Sequence, residues 1–169
     1  MKKLFPYFAL LFFLSCDHGL ELPPLIEPGF GGTIHFAQGT WPPPSSDSLQ
    51  NLWLFASQIY PLDSTKVVAG LTSNPPKIYV YPSLAENLPF FVDSVAYAIH
   101  VPPGTYHYIG VIQRYRPGLS FDIKNFRIVG IVENPTTPGL PRSVTVREYE
   151  FFGGIDVFVD FYHLPPQPF

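Results

Sequence analysis

This sequence has almost none of the residues from which metal and redox centres are built. Cys16 is the one cysteine in 169 residues. No internal disulfide can form, and no pair of thiolates can hold zinc. The five histidines, His18, His35, His100, His107 and His163, never fall in H-x-H or H-x-x-x-H spacing, so zinc sites of recognisable type are absent. No Gly-x-Ser-x-Gly nucleophile pattern occurs. Gly31-Gly32 and Gly153-Gly154 open apolar runs instead of preceding a helix, which leaves no phosphate-cradling loop. Charge is sparse at 14% of residues, with a net of −3 and no basic patch. Nucleic acid is therefore not an expected partner, and no cofactor is expected. No apolar run approaches the roughly 20 residues that a spanning helix needs.

Aromatic residues and proline are plentiful. Phe and Tyr number 16 and 10, and proline numbers 21. Strand formers dominate and good helix formers are scarce. The prolines punctuate apolar runs, and so many aromatics argue against disorder. Composition therefore predicts an all-β domain with proline-marked loops.

The N-terminus carries an address. Lys2 and Lys3 precede the short apolar run Leu4–Leu14, and Asp17, His18 and Gly19 follow at once. A charged start, a short apolar centre and a small residue before the break match a secretory signal. Phe13-Leu14-Ser15-Cys16 resembles the lipobox of bacterial lipoproteins, with Phe13 where leucine is usual. The resemblance implies cleavage before Cys16 and lipid on it, which would anchor the protein in the bacterial cell envelope, at the outer membrane or cell surface. The alternative is an ordinary signal peptide with an incidental cysteine. On the first reading, 1–15 is signal, 16–29 a proline-containing tether, 30–162 the domain and 163–169 a proline-rich tail. Removing Lys2 and Lys3 makes the remaining chain more acidic.

Within the domain, Phe30–Phe36 reads as a first strand and Asn51–Tyr60 as an apolar central strand holding Trp53. Residues 61–76 form an uncertain connection, and 77–82 a short edge strand. In Ser94–Val101, Val95, Tyr97, Ile99 and Val101 share one face, which is strand periodicity. Pro102–Thr105 reads as a turn, so that segment and Tyr106–Tyr115 are expected to pair as a hairpin. Asn125–Glu133 and Ser143–Val146 are further strands, with a proline-rich loop at 134–142. Gly153–Tyr162 puts Ile155, Val157, Val159 and Phe161 on one face. It puts Asp156, Phe158, Asp160 and Tyr162 on the other, read as the solvated side of an edge strand. About seven short strands point to a β-sandwich.

The run Val101-Pro102-Pro103-Gly104-Thr105-Tyr106 resembles a strand–turn–strand feature of carboxypeptidase-regulatory-like and transthyretin-like domains. Gly32–Phe36 and the later Thr145-Val146 with Gly153–Val157 fit the same pattern. The resemblance implies a prealbumin-like Greek-key sandwich, a fold that hosts many functions. Such domains usually act as accessory, structural or ligand-binding modules. Hydrolases of a purine-degradation product share the fold but end in a Tyr-Arg-Gly-Ser motif. This chain ends Gln167-Pro168-Phe169, and that activity is set aside.

The expected function is a lipid-anchored, non-catalytic structural or interaction module, with an unknown envelope protein or glycan as partner. The alternative is a carbohydrate- or other ligand-binding module using Trp41, Tyr79 and Tyr81, whose rings could stack on a sugar. A hydrolase of unknown class ranks last. Asp156 and Asp160 lie about 13 Å apart by strand rise, too far to share an ion or a glycosidic bond. His100 and His107 flank the turn and could face each other across the hairpin. Edge strands also permit strand addition by a partner.

Overall fold

The computed structural model describes residues 25–44, 46, 48–117 and 122–169. The signal segment, Cys16 and the first part of the tether lie outside the described residues. Twelve strands are present among the described residues. They are β1 (Gly29–Phe36), β2 (Asn51–Ser57), β3 (Ile78–Tyr81), β4 (Ser94–His100), β5 (Gly104–Tyr106) and β6 (Tyr108–Arg114), followed by β7 (Phe126–Ile131), β8 (Glu133–Asn134), β9 (Thr137–Pro141), β10 (Val144–Val146), β11 (Phe151–Phe152) and β12 (Val157–Val159). One helix, α1 (Ser64–Thr72), joins β2 to β3, and a 3₁₀ turn at Ile123–Asn125 precedes β7.

The all-β expectation holds, with one helix added. Eight strands form a single sheet, in which β4 and β1 are followed by β11 and β12 in line, then β7, β6, β2 and β3. Two short ribbons, β5 with β10 and β8 with β9, complete the fold. The two edges of the large sheet curl towards each other. The rings of Tyr81 on β3 and Tyr97 on β4 lie 6.3 Å apart, so the sheet is barrel-like. About seven strands in two facing sheets were expected; twelve strands, eight of them in one curled sheet, are found.

Glycine permits the curl. A Cβ on Gly32 would lie 2.4 Å from the carbonyl oxygen of Ile155. With no side chain there, Tyr97, the partner of Gly32 in register, reaches past β1 and its hydroxyl donates to that carbonyl. Inside the curl, Phe30, Ile34, Leu52, Leu54, Tyr106 and Ile109 are completely buried. Complete burial of side chains this large stabilises by about 1.5–3 kcal/mol each before entropy is counted.

A second core lies on the outer side of the sheet, where α1, through Val67, and Leu62 just before it cover Phe55, Ile78, Tyr108 and Ile128. From sequence alone this segment is an uncertain connection. The helix starts because the Asp63 carboxylate accepts from the backbone N–H groups of Thr65 and Lys66, at 3.1 and 2.9 Å. Bonds from the Thr65 hydroxyl and Lys66, with the nearby Lys66 charge, hold the Asp63 carboxyl well below its ordinary range. Val67 and Leu71, four residues apart, then face the sheet. Nine residues are too few for periodicity to show among strands.

Three local expectations are corrected. The segments flanking Pro102–Thr105 do not form a hairpin: β4 pairs with β1, and β6 pairs with β2 and β7. Each has an apolar face that must meet the same core from a different side, so the chain crosses over at Pro102–Gly104. The Tyr106 hydroxyl, donating to the Pro102 carbonyl at 2.7 Å, braces that corner. The strand carrying Asp156 and Asp160 is internal, since β12 lies between β1 and β7. The proline-rich loop at 134–142 contains the β8–β9 ribbon, whose tip is stabilised by Asn134 accepting from Thr136 N–H at 3.0 Å.

Candidate functional site

The outer face of β1, β12 and β7 forms the floor of an open cleft of about 840 Å³. The β8–β9 ribbon and the tail residues Leu164–Pro166 contribute its walls. The tail is held down by Gln167, which acts as a surrogate strand residue. Its side-chain oxygen accepts from Ile128 N–H at 2.8 Å, and its amide donates to the Ile128 carbonyl at 2.9 Å. Phe169 then packs into the outer core.

Strand alternation puts polar and aromatic groups into the cleft. Along Ile155–Tyr162 the odd residues are buried, while Asp156, Phe158 and Tyr162 are exposed. Phe158 is 70% exposed. It sits in register with His35 on β1, and the two rings stack at 5.0 Å with an interplanar angle of 18°. Glu133, Asp156, Asp160, His163 and Arg142 complete the charged and polar lining.

The two carboxylates have structural duties as well. Between β11 and β12 the chain leaves the ladder, and Asp156 Oδ1 replaces the missing backbone acceptor by taking the Thr33 N–H at 2.8 Å. Asp160 accepts from the N–H groups of Tyr162 and His163, and its Oδ2 meets His163 Nδ1 at 2.9 Å. That histidine contact, with the backbone bonds, lowers the Asp160 carboxyl below its ordinary value. Such a group is a standing acceptor and a poor proton donor at neutral pH. Arg142 forms no salt bridge among the described residues. Burial raises the Tyr97 hydroxyl strongly, with Asp156 adding to the shift and Arg142 opposing it, so all three charges and dipoles share one region under the cleft.

The aromatic residues expected at a ligand site lie elsewhere. Trp41 is half-buried at one end of the inner core, its ring 4.6 Å from Phe36 and 4.8 Å from Phe161, and its N–H donates to the Val92 carbonyl at 3.2 Å. Tyr79 and Tyr81 share the inner face of β3, half-buried, against Tyr106 at 5.9 Å and Tyr97 at 6.3 Å. Trp53 is buried, with its N–H donating to the Glu86 carbonyl at 2.7 Å. His100 and His107 take separate partners, Glu27 at 3.5 Å and Ser143 at 3.1 Å, because their strands do not pair. Among the described residues, no group of three or more His, Cys, Asp or Glu side chains is arranged to hold a metal ion. Phe158 was visible in the sequence as an aromatic on a polar strand face. The cleft around it was not visible, because it depends on β12 lying between β1 and β7.

A second hollow, about 40 Å³, lies beneath α1 between Trp53, Phe55, Val67, Leu71 and Phe126. It lacks polar groups to orient a ligand. No family, no curated protein and no solved structure matches this chain. No helix among the described residues is long and apolar enough to cross a membrane.

Proposed function

We propose that this chain is a non-catalytic β module, tethered to the bacterial envelope by lipid on Cys16, that binds a glycan in its outer cleft. The observation that carries the binding part is the Phe158–His35 stack, standing exposed in the cleft beside Asp156, Asp160 and Arg142. A sugar ring offers an apolar C–H face to an aromatic ring and a rim of hydroxyls to carboxylates and guanidinium. The non-catalytic part is supported by the duties of the two carboxylates. Both hold backbone N–H groups in place, and the bonds to Asp160 keep its carboxyl below its ordinary range.

The proposal extends to the fold type. A prealbumin-like Greek-key arrangement, with its sheet curled, is consistent with the passage through Pro102–Tyr106. That passage carries the chain from the outer strand β4 to β6 in the middle of the sheet.

Two measurements test the reading. In a glycan-binding assay against envelope polysaccharides, Phe158→Ala should weaken binding about tenfold, the loss expected for one stacking ring. Unchanged binding, or no binding by the wild type, removes the cleft from the proposal. In cell fractionation, wild type should partition with membranes and carry acyl mass, while Cys16→Ser should be soluble. Identical behaviour of the two would show Cys16 to be incidental.

A further inference from the structure

The strand β4 forms one open edge of the large sheet. Its seven residues pair with β1 in unbroken register from Gly29↔His100 to His35↔Ser94. The flanking bonds reveal which backbone groups this pairing uses. Val101 N–H donates to the Pro28 carbonyl and Phe36 N–H to the Asp93 carbonyl. In an antiparallel ladder such pairs alternate, so Val95, Tyr97 and Ile99 bond to β1. Ser94, Ala96, Ala98 and His100 turn their N–H and C=O groups outward. All four are exposed, and among the described residues β4 pairs with no strand except β1.

Open edges are normally blunted by proline, lysine, a bulge or shortness. The opposite edge follows this rule: β3 has four residues, with Lys77 just before it and Pro82 just after. β4 is longer, at seven residues, and none of these devices falls within it, with Asp93 before it and Pro102 beyond Val101 as its nearest charge and proline. It is regular, free of charge apart from His100 at its end, and carries only methyl groups at Ala96 and Ala98.

We propose that β4 is a self-association strand, pairing antiparallel with β4 of a second copy across a two-fold axis at Tyr97. The strand reads Ser-Val-Ala-Tyr-Ala-Ile-His, a palindrome in chemical type about Tyr97. A two-fold antiparallel pair joins residues equally far from its centre. Ala96 therefore meets Ala98 of the second copy, and Val95 meets Ile99. Ser94 meets His100, a hydroxyl opposite an imidazole. The outward backbone groups fall in the register that allows closely spaced hydrogen-bonded pairs at 96 and 98. Methyl groups at those positions let the strands approach without a clash or a like-charge contact. Joining two copies continues the sheet and covers the β4 edge of each.

The test is sedimentation equilibrium of the full chain in mild detergent, with amide exchange at residues 94–100. Wild type should shift from monomer to dimer with concentration, and the Ala96 and Ala98 amides should exchange about tenfold more slowly in the dimer. Ala96→Pro removes an outward N–H without touching the bonds to β1, a position where an edge strand accepts proline. Ala98→Glu brings two like charges to the axis. Both variants should stay monomeric, with the wild-type monomer's thermal unfolding retained. A wild type that remains monomeric to about 1 mM, or variants that dimerise as well as it does, would overturn the proposal. So would protected amides at 96 and 98 in the dilute monomer, which would mean that a segment of the same chain covers the edge.

Discussion

Phe30→Ala should cost about 3–5 kcal/mol and lower the thermal midpoint by about 10 °C. Phe30 is 0% exposed. Its ring lies 6.4 Å from Tyr97 and 5.9 Å from Tyr106, edge-on to the first. Truncation leaves a cavity between β1, β4 and β5, and the sheet on one side and the braced Pro102 corner on the other both resist its collapse. Domains of this size are stable by only about 5–15 kcal/mol, so one substitution removes a large fraction. Phe158→Ala supplies the control. It is the same chemical change on the opposite face, at a ring 70% exposed, and should alter stability by less than about 0.5 kcal/mol. Urea denaturation of both variants measures the contrast. Equal midpoints would mean that the inner and outer faces of the sheet are misassigned.

Gly32→Ala should be nearly as damaging, by about 3 kcal/mol, although it adds a single methyl group. The new Cβ would meet the Ile155 carbonyl oxygen at 2.4 Å and Asp156 Oδ1 at 2.9 Å. Backbone cannot swing away as a side chain can, so β1 and the Ile155–Asp156 segment must separate. Two hydrogen bonds are disturbed together, Tyr97 hydroxyl to Ile155 carbonyl and Thr33 N–H to Asp156. Because Asp156 and Phe158 line the cleft, glycan affinity should fall along with stability. A Gly32→Ala protein with wild-type stability would show that the close approach at this point is not part of the folded state. The same methyl group at Gly153, where no atom lies within 4 Å, should be tolerated.

Much of the domain was legible in the residues because strand periodicity is a local property. Val95, Tyr97, Ile99 and Val101 on one side of a segment, or Ile155, Val157, Val159 and Phe161, fix which face is buried whatever the strand's neighbours are. Both sets occupy the inner core. Pairing is different, since it depends on residues far apart in the chain. The strand of Asp156 and Asp160 looked like an edge because its outer face is polar. It lies between β1 and β7, and the polarity comes from the open cleft above it. The proline-rich tail looked like loose loop because prolines hide its hydrogen-bonding anchor, Gln167, whose partner Ile128 is 39 positions away.

By itself, then, the sequence determined that this protein is all-β and which side chains of its periodic strands enter the core. These follow from composition and short-range order. Tertiary structure alone decided that the strands curl into one barrel-like sheet, because the curl rests on the close approach of Gly32 to Ile155 and the meeting of Tyr81 with Tyr97. It also decided that Phe158, and not Trp41, Tyr79 or Tyr81, stands in the open. An aromatic ring's exposure is set by what packs over it, and three of these four rings are covered by residues from other strands and loops.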